Sequence, residues 1–558
     1  MEILSPQELW QDYDREIEPD ETVIKQSEDG LVRQVYFDGL PLKDGSRVRV
    51  YAKLILPDRR SEVKRGNEEW RAESGVEGSG TVENNNLDMT LTPHFTLHTP
   101  HFPVIIYAGG TNEDIDQTDV SYLTDGGYAV LLVDYAGDTG RKARYTLYPT
   151  GIDAYWLDGK KQPPREIKSN CWYYWTTCIL AAATYLEKSE LINRDKIGFL
   201  GTNEGAHLAF KASVASPIKC GVTFFGGCIA DGDGEQTLEF KAALDSRSYA
   251  ATAYPILINA AANSRLSSFD YLRELYDSAP KAAFCVCPDS EGAASLYQRG
   301  NVLPWFDAVL AEKYVKTPRK ELSVFGSGGA VYAEVNTKTD KVEIYCAEDG
   351  PAFCRHFKNL AVERAGENKY LARPDIFDPT RPLLFFANLI YGKFTFSTAV
   401  VVRQPVKLGV AGGGVKSRLL FQSEGESGES ENSGFLLPDG GFFEERRLLS
   451  VTGPLGLSGI CGDELITFKP GDSKFRAIEG SLLQLTVSAN VAQEIEICMI
   501  DKTGGERFCV KRIPAGQWVT FSLCAEDFKS LFGAADFSQI VGIKIKGKRI
   551  ILNSMLWV

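Results

Sequence analysis

The apolar positions of this 558-residue chain change their period near residue 320. Before that point, short and almost wholly apolar runs at 102–108, 128–135, 220–225, 255–260 and 282–287 alternate with longer stretches, at 171–186 and from 303 onward, that are apolar on one side. Runs of that length bounded by turn formers predict strands buried on both faces, and their alternation with helices predicts a mostly parallel sheet with helices on both faces. Residues 22–57 alternate singly around a turn at Asp44 and Gly45, which predicts antiparallel strands opening the same sheet. Beyond residue 320 the period is two throughout: 329–335, 341–346, 382–391 and 394–403 form one group, and 482–488, 494–500, 518–523, 540–545 and 550–558 a second. The fold class predicted is α/β followed by two all-β sandwich domains, with domains at 1–317, 318–408 and 409–558. Within the first, residues 58–100 are charged and rich in Gly and Asn, the composition of a flexible insertion, and 424–434 reads as a solvated loop.

One stretch gives the α/β part its centre. Residues 196–210 read as strand, sharp turn and helix, with the turn at Gly201, Thr202, Asn203, Glu204 and Gly205. The same spacing, G-x-S-x-G, builds a nucleophile elbow, in which small flanking residues let the helix pack on the strand and a serine stands at the tip. Asparagine tolerates positive φ and so suits the turn, but it carries no hydroxyl or thiol with which to attack a carbonyl.

Together with DGSRVRVYAK at 44–53, GYAVLLVDY at 127–135 and CWYYW at 171–175, the elbow resembles α/β-hydrolases of the acetylxylan esterase and dienelactone hydrolase-like group, over residues 22 to about 316. The resemblance implies an α/β-hydrolase fold and a chain order of nucleophile, acid and histidine. At those places stand Asn203, Ser264 and Gly292, with Ala293 beside the last and Asp231 and Asp233 as alternative acids. The oxyanion donors it implies are the backbone N–H of Glu204 and one from Gly109, Gly110 or Thr111. The later β segments resemble an immunoglobulin-like sandwich and then a jelly-roll carbohydrate-binding module. Such modules stack sugars on exposed aromatic rings, whereas Trp518 and Trp557 fall inside strand patterns.

Histidine is scarce, at five residues. His207 lies one helical turn past Asn203 and reads as a core residue, and His356 belongs to a later domain. His94, His98 and His101 have a spacing that could gather a metal, but no carboxylate or thiol stands at a set offset, so no metal or other cofactor is expected. Cys285 and Cys287 share one strand face without the further ligands a zinc site needs. Twelve cysteines without a secretion signal point to reduced, buried thiols. A net charge of -13 excludes nucleic acid and acidic membrane surfaces as partners. With no basic stretch ahead of an apolar core and no run of eighteen apolar residues, a cytoplasmic protein is expected. Two functions remain. A non-catalytic binding or scaffold protein, whose ligand would be a carbohydrate or an acylated small molecule, is favoured by the missing imidazole. The alternative is an active carboxylic-ester hydrolase or carbohydrate deacetylase with an unrecognised catalytic arrangement.

Overall fold

The structure is a computed structural model that describes residues 4–11, 13–16, 18–42, 45–58, 101–149, 167–224, 244–251, 253–264, 269–288, 290–292, 294–311, 321–413, 415–423, 434–436, 448–528 and 536–558. The insertion from 59 onward and the loop at 424–433 lie outside these residues. The chain divides into two compact units: Met1–Gly221, Gly234–Leu244 and Phe306–Tyr314 make the first, and Val222–Asp233, Asp245–Trp305 and Val315–Val558 the second.

In the first unit the strands β1 (Thr22–Gln26), β2 (Val32–Pro41), β3 (Arg47–Ile55), β4 (Phe102–Ala108), β5 (Ala129–Asp134) and β6 (Ile192–Thr202) are hydrogen-bonded in the order β1-β2-β3-β5-β4-β6. The pairs β1–β2, β2–β3 and β3–β5 are antiparallel, while β4 runs parallel to both β5 and β6. The change follows the pattern of the chain. Val35, Phe37, Val48, Val50, Ala52 and Leu54, drawn from the alternating segment, are buried, whereas every residue of β5, apolar up to its last residue Asp134, is buried. The helix Cys171–Glu187 is capped by Asn170, whose side chain accepts the Trp172 N–H.

β6 sets how close the helices come. Gly198 faces the Phe306 ring, which a Cβ at that position would meet at 2.7 Å; Gly201, an odd number of residues further on, faces the opposite side, where a Cβ would lie 2.5 Å from the Gly205 carbonyl oxygen. Helical segments therefore cover both faces of this strand.

In the second unit β8 (Ile256–Ala261) and β9 (Ala282–Cys287) pair in parallel; β7 (Cys220–Phe224) spans the division between units. Further on, a four-stranded sheet runs Leu322–Ser327, Ala330–Asn336, Lys369–Ala372, Val362–Arg364, and a five-stranded sheet is centred on Lys341–Glu348 and Leu383–Tyr391. Their inward residues, among them Val324, Val335, Ile344, Phe385 and Leu389, form one core, the arrangement of two packed sheets. An eight-stranded sheet built around Ile540–Trp557 encloses a separate core that includes Leu465, Leu485, Ile497, Ile543 and Trp557.

Two strand boundaries differ from the sequence reading. Residues 394–403 are two strands, Phe394–Ser397 and Val401–Arg403, both paired with Leu383–Tyr391; the break falls at Thr398, whose hydroxyl accepts the Ala387 N–H. Conversely, 540–545 and 550–558 belong to one strand, Ile540–Trp557, because both parts pair with Ser458–Thr467 across a bulge, and Arg549 takes φ 47° at the bend.

Candidate functional site

The turn at residues 201–205 has the conformation its glycines call for. β6 ends at Thr202, the helix Glu204–Ala212 begins two residues later, and Asn203 between them takes φ 52° and ψ -123°. Among the described non-glycine residues only Leu455 and Arg549 share a positive φ. The helix then presses onto the neighbouring strand end: a Cβ on Gly205 would lie 2.1 Å from the Ala108 carbonyl oxygen. No side chain fits there, and Asn203 is held at the tip by that packing.

The segment after β4 lies against this tip. A Cβ on Gly110 would be 3.4 Å from both Asn203 Nδ2 and Glu204 Oε2, so these side chains lie against it. Two of the N–H groups that the hydrolase resemblance offers to an oxyanion, those of Gly110 and Thr111, are engaged with the chain's own acids. The Gly110 N–H donates to Glu113 Oε2 at 3.2 Å, and the Thr111 N–H donates to Glu204 Oε2 at 3.2 Å. Glu113 is held by further donors: the Tyr107 hydroxyl at 2.9 Å and the Thr118 hydroxyl at 2.8 Å both reach Oε1. Burial, and next the Glu113 charge, push the Tyr107 phenol well above its ordinary range, so it stays protonated and donates. The Tyr135 hydroxyl donates to the Gly109 carbonyl at 2.6 Å. A Cβ on Gly109 would displace the Glu113 carboxylate, whose Oε2 stands 2.0 Å from that position.

Sequence reasoning placed Gly109, Gly110, Asn203 and Glu204 at one locality but missed Glu113, Tyr107 and Thr118. The available signal was an acid three residues after Gly110, the spacing of a turn, which the Glu113 N–H closes onto the Gly110 carbonyl.

His207 is 3% exposed, with its ring edge-on to Trp172 at 5.4 Å between centroids. Burial, assisted by the charge of Lys211, drives its pKa well below the usual histidine range and keeps the imidazole neutral. Lys211 is itself 1% exposed, its ammonium 4.7 Å above the Trp172 ring.

Ser264 and Gly292 belong to the second unit. Ser264 is 2% exposed in a turn sealed from within: the Ala262 N–H donates to the Cys287 carbonyl and the Asn263 N–H to the Ser290 carbonyl. The Asn263 amide also donates to the carbonyls of Arg355, at 2.7 Å, and Phe353, at 3.3 Å. Gly292 is half-buried, and Ala293, Asp231 and Asp233 lie outside the described residues.

Among the described residues no three His, Cys, Asp or Glu side chains gather as metal ligands. His101 is exposed ahead of β4, while His94 and His98 lie outside the description. Cys285 and Cys287 are both buried; their environment raises the Cys285 thiol well above its usual range, first by desolvation. Trp557 is 2% exposed with its N–H bonded to the Phe475 carbonyl, and the half-buried Trp518 donates to the Pro454 carbonyl. No described helix is long and apolar enough to cross a membrane.

No protein-family profile matches the chain, and no curated protein matches it. Solved structures similar to it include acetyl xylan esterase 1 from Thermoanaerobacterium sp. JW/SL YS485, 14% identical, covering 55% of this chain and 93% of that one at a TM-score of 0.38. An acetyl xylan esterase from Paenibacillus sp. R4 is 12% identical over 55% and 92% at 0.38. A dienelactone hydrolase-like promiscuous phosphotriesterase from metagenomic libraries is 14% identical over 50% and 99% at 0.30.

Proposed function

We propose that the α/β part of this chain is a catalytically silent fold of the α/β-hydrolase type, kept as a scaffold in a three-domain protein divided at about residues 317 and 408. One observation carries the reading: at the elbow, the N–H groups of Gly110 and Thr111 are taken by Glu113 and Glu204. Acyl transfer needs preorganised donors aimed at a developing oxyanion, and here an oxyanion would meet two carboxylates instead. The other roles are vacant as well. Asn203 has no nucleophilic atom, and His207 packs its ring on Trp172 within the helix layer. Loss of any one triad member ordinarily removes on the order of three to six decades of rate. The elbow survives because the strand–helix contact at Gly201 and Gly205 depends on its backbone and not on its side chain.

The test is covalent trapping. A fluorophosphonate incubated with the full chain is expected to leave its intact mass unchanged. A stoichiometric adduct on any residue, blocked by a small acetate ester, overturns the proposal.

A further inference from the structure

A polar cleft of about 170 Å³ lies in the second unit, lined by residues between Glu348 and Val541, among them the imidazole of His356. That volume is roughly six waters' worth, room for one small molecule.

The charges of the wall do not cancel. Each lining carboxylate already has a cation: Glu348 Oε2 lies 3.1 Å from Arg381 Nη1, Asp349 Oδ1 lies 3.0 Å from Arg355 Nη2, and Asp472 Oδ2 lies 2.7 Å from Lys358 Nζ. Glu348 is further satisfied by the N–H and hydroxyl of Ser473, at 3.0 and 2.8 Å. Two lining cations have no such partner. Arg476 makes one hydrogen bond, from Nη2 to the Gly471 carbonyl at 3.2 Å, and Lys502 one of 3.4 Å to Gln539 Oε1; neither lies within 4.0 Å of a carboxylate among the described residues. Arg355, only 5% exposed, also keeps an Nε–H without an acceptor. A guanidinium and an ammonium facing one polar cleft are suited to a planar or tetrahedral oxyanion, the first through paired N–H donors and the second as a point charge.

We propose that this cleft binds a small anion, its carboxylate or phosphate held by Arg476 and Lys502. The site is independent of the elbow and of whether the α/β part turns over esters.

Titration calorimetry and thermal melting of the full chain with glucuronate, glucose 6-phosphate, inorganic phosphate and neutral glucose test it. At least one of the two sugar anions is expected to bind saturably and raise Tm, with glucose inert, and the tighter of the two identifies the head group. In R476A/K502A the affinity is expected to fall at least tenfold, while K338A, which changes an exposed lysine elsewhere, keeps it. R476Q, close in size but uncharged, is expected to weaken binding while preserving the circular dichroism spectrum, which separates lost charge from lost fold. Saturable binding of neither sugar anion, binding unchanged in R476A/K502A, or an equal loss in K338A overturns the proposal.

Discussion

The turn after β6 and the turn after β8 both follow fully buried strand ends, and they are the places where the resemblance seen in the sequence looks for a nucleophile and an acid. The two are held in place differently. After β6 the backbone is kept under tight steric control, with Asn203 at φ 52° between two glycines that admit no Cβ. After β8 the turn is fixed by long-range hydrogen bonds, above all from the Asn263 amide to carbonyls 90 and 92 residues away. The first turn is set by local steric contacts; the second is set by hydrogen bonds to a later part of the chain.

The comparison breaks most readily at Gly205. Because an added Cβ would lie 2.1 Å from a backbone carbonyl that cannot swing aside, Gly205→Ala is expected to cost about 3 kcal/mol, read from the urea midpoint. Gly300→Ala, where nothing stands within 4 Å, is the matched control and is expected to be neutral or slightly stabilising. Equal midpoints for the two variants would remove the steric account of the elbow.

Asn263→Ala tests the other turn. It strips donors from two backbone carbonyls, one bond being buried, and is expected to cost about 2 kcal/mol in the same assay. A cost within experimental error would mean that this turn is held by other contacts.

A smaller effect is expected at Asn203 itself. Valine there must adopt a conformation that β-branched residues avoid, at about 1 to 2 kcal/mol, whereas Asn203→Gly should lose nothing. If both substitutions behave alike, φ at this position is not constrained.

A further effect is one of pH. His207 is held neutral in the folded chain by burial and by Lys211, so its folded pKa lies below its unfolded one. The unfolded chain therefore binds the extra proton, and stability is complete above the ordinary histidine pKa and declines as pH falls below it, by up to about 1.4 kcal/mol per pH unit. His207→Gln should flatten that decline between about pH 6.5 and 5. An unchanged slope would place the acid sensitivity elsewhere.

These contrasts also separate what could be read from the chain. The elbow was legible because a backbone demand falls on adjacent residues: Gly201 and Gly205 have to be glycine, and Asn203 must accept positive φ. The antiparallel opening strands and the helix Cys171–Glu187 were legible for the same local reason, the period of their apolar residues. What escaped was everything set by partners distant in the chain. Nothing near Glu204 marks its carboxylate for the Thr111 N–H 93 residues away. Nothing in residues 540–558 signals that one strand, Ser458–Thr467, would bind them into a single long one. The cleft near Arg355 draws on residues spread from Glu348 to Val541 and has no local signature at all.

The central claim is that the elbow keeps its geometry without its chemistry, and hydrolysis of para-nitrophenyl acetate by the full chain tests it most directly. The account predicts a rate that rises linearly with ester, shows no saturation and is the same in the wild type and in Asn203→Ser, since one restored hydroxyl still lacks a base. Saturable turnover by the wild type, lost on substitution of Asn203, Glu204 or His207, would contradict it.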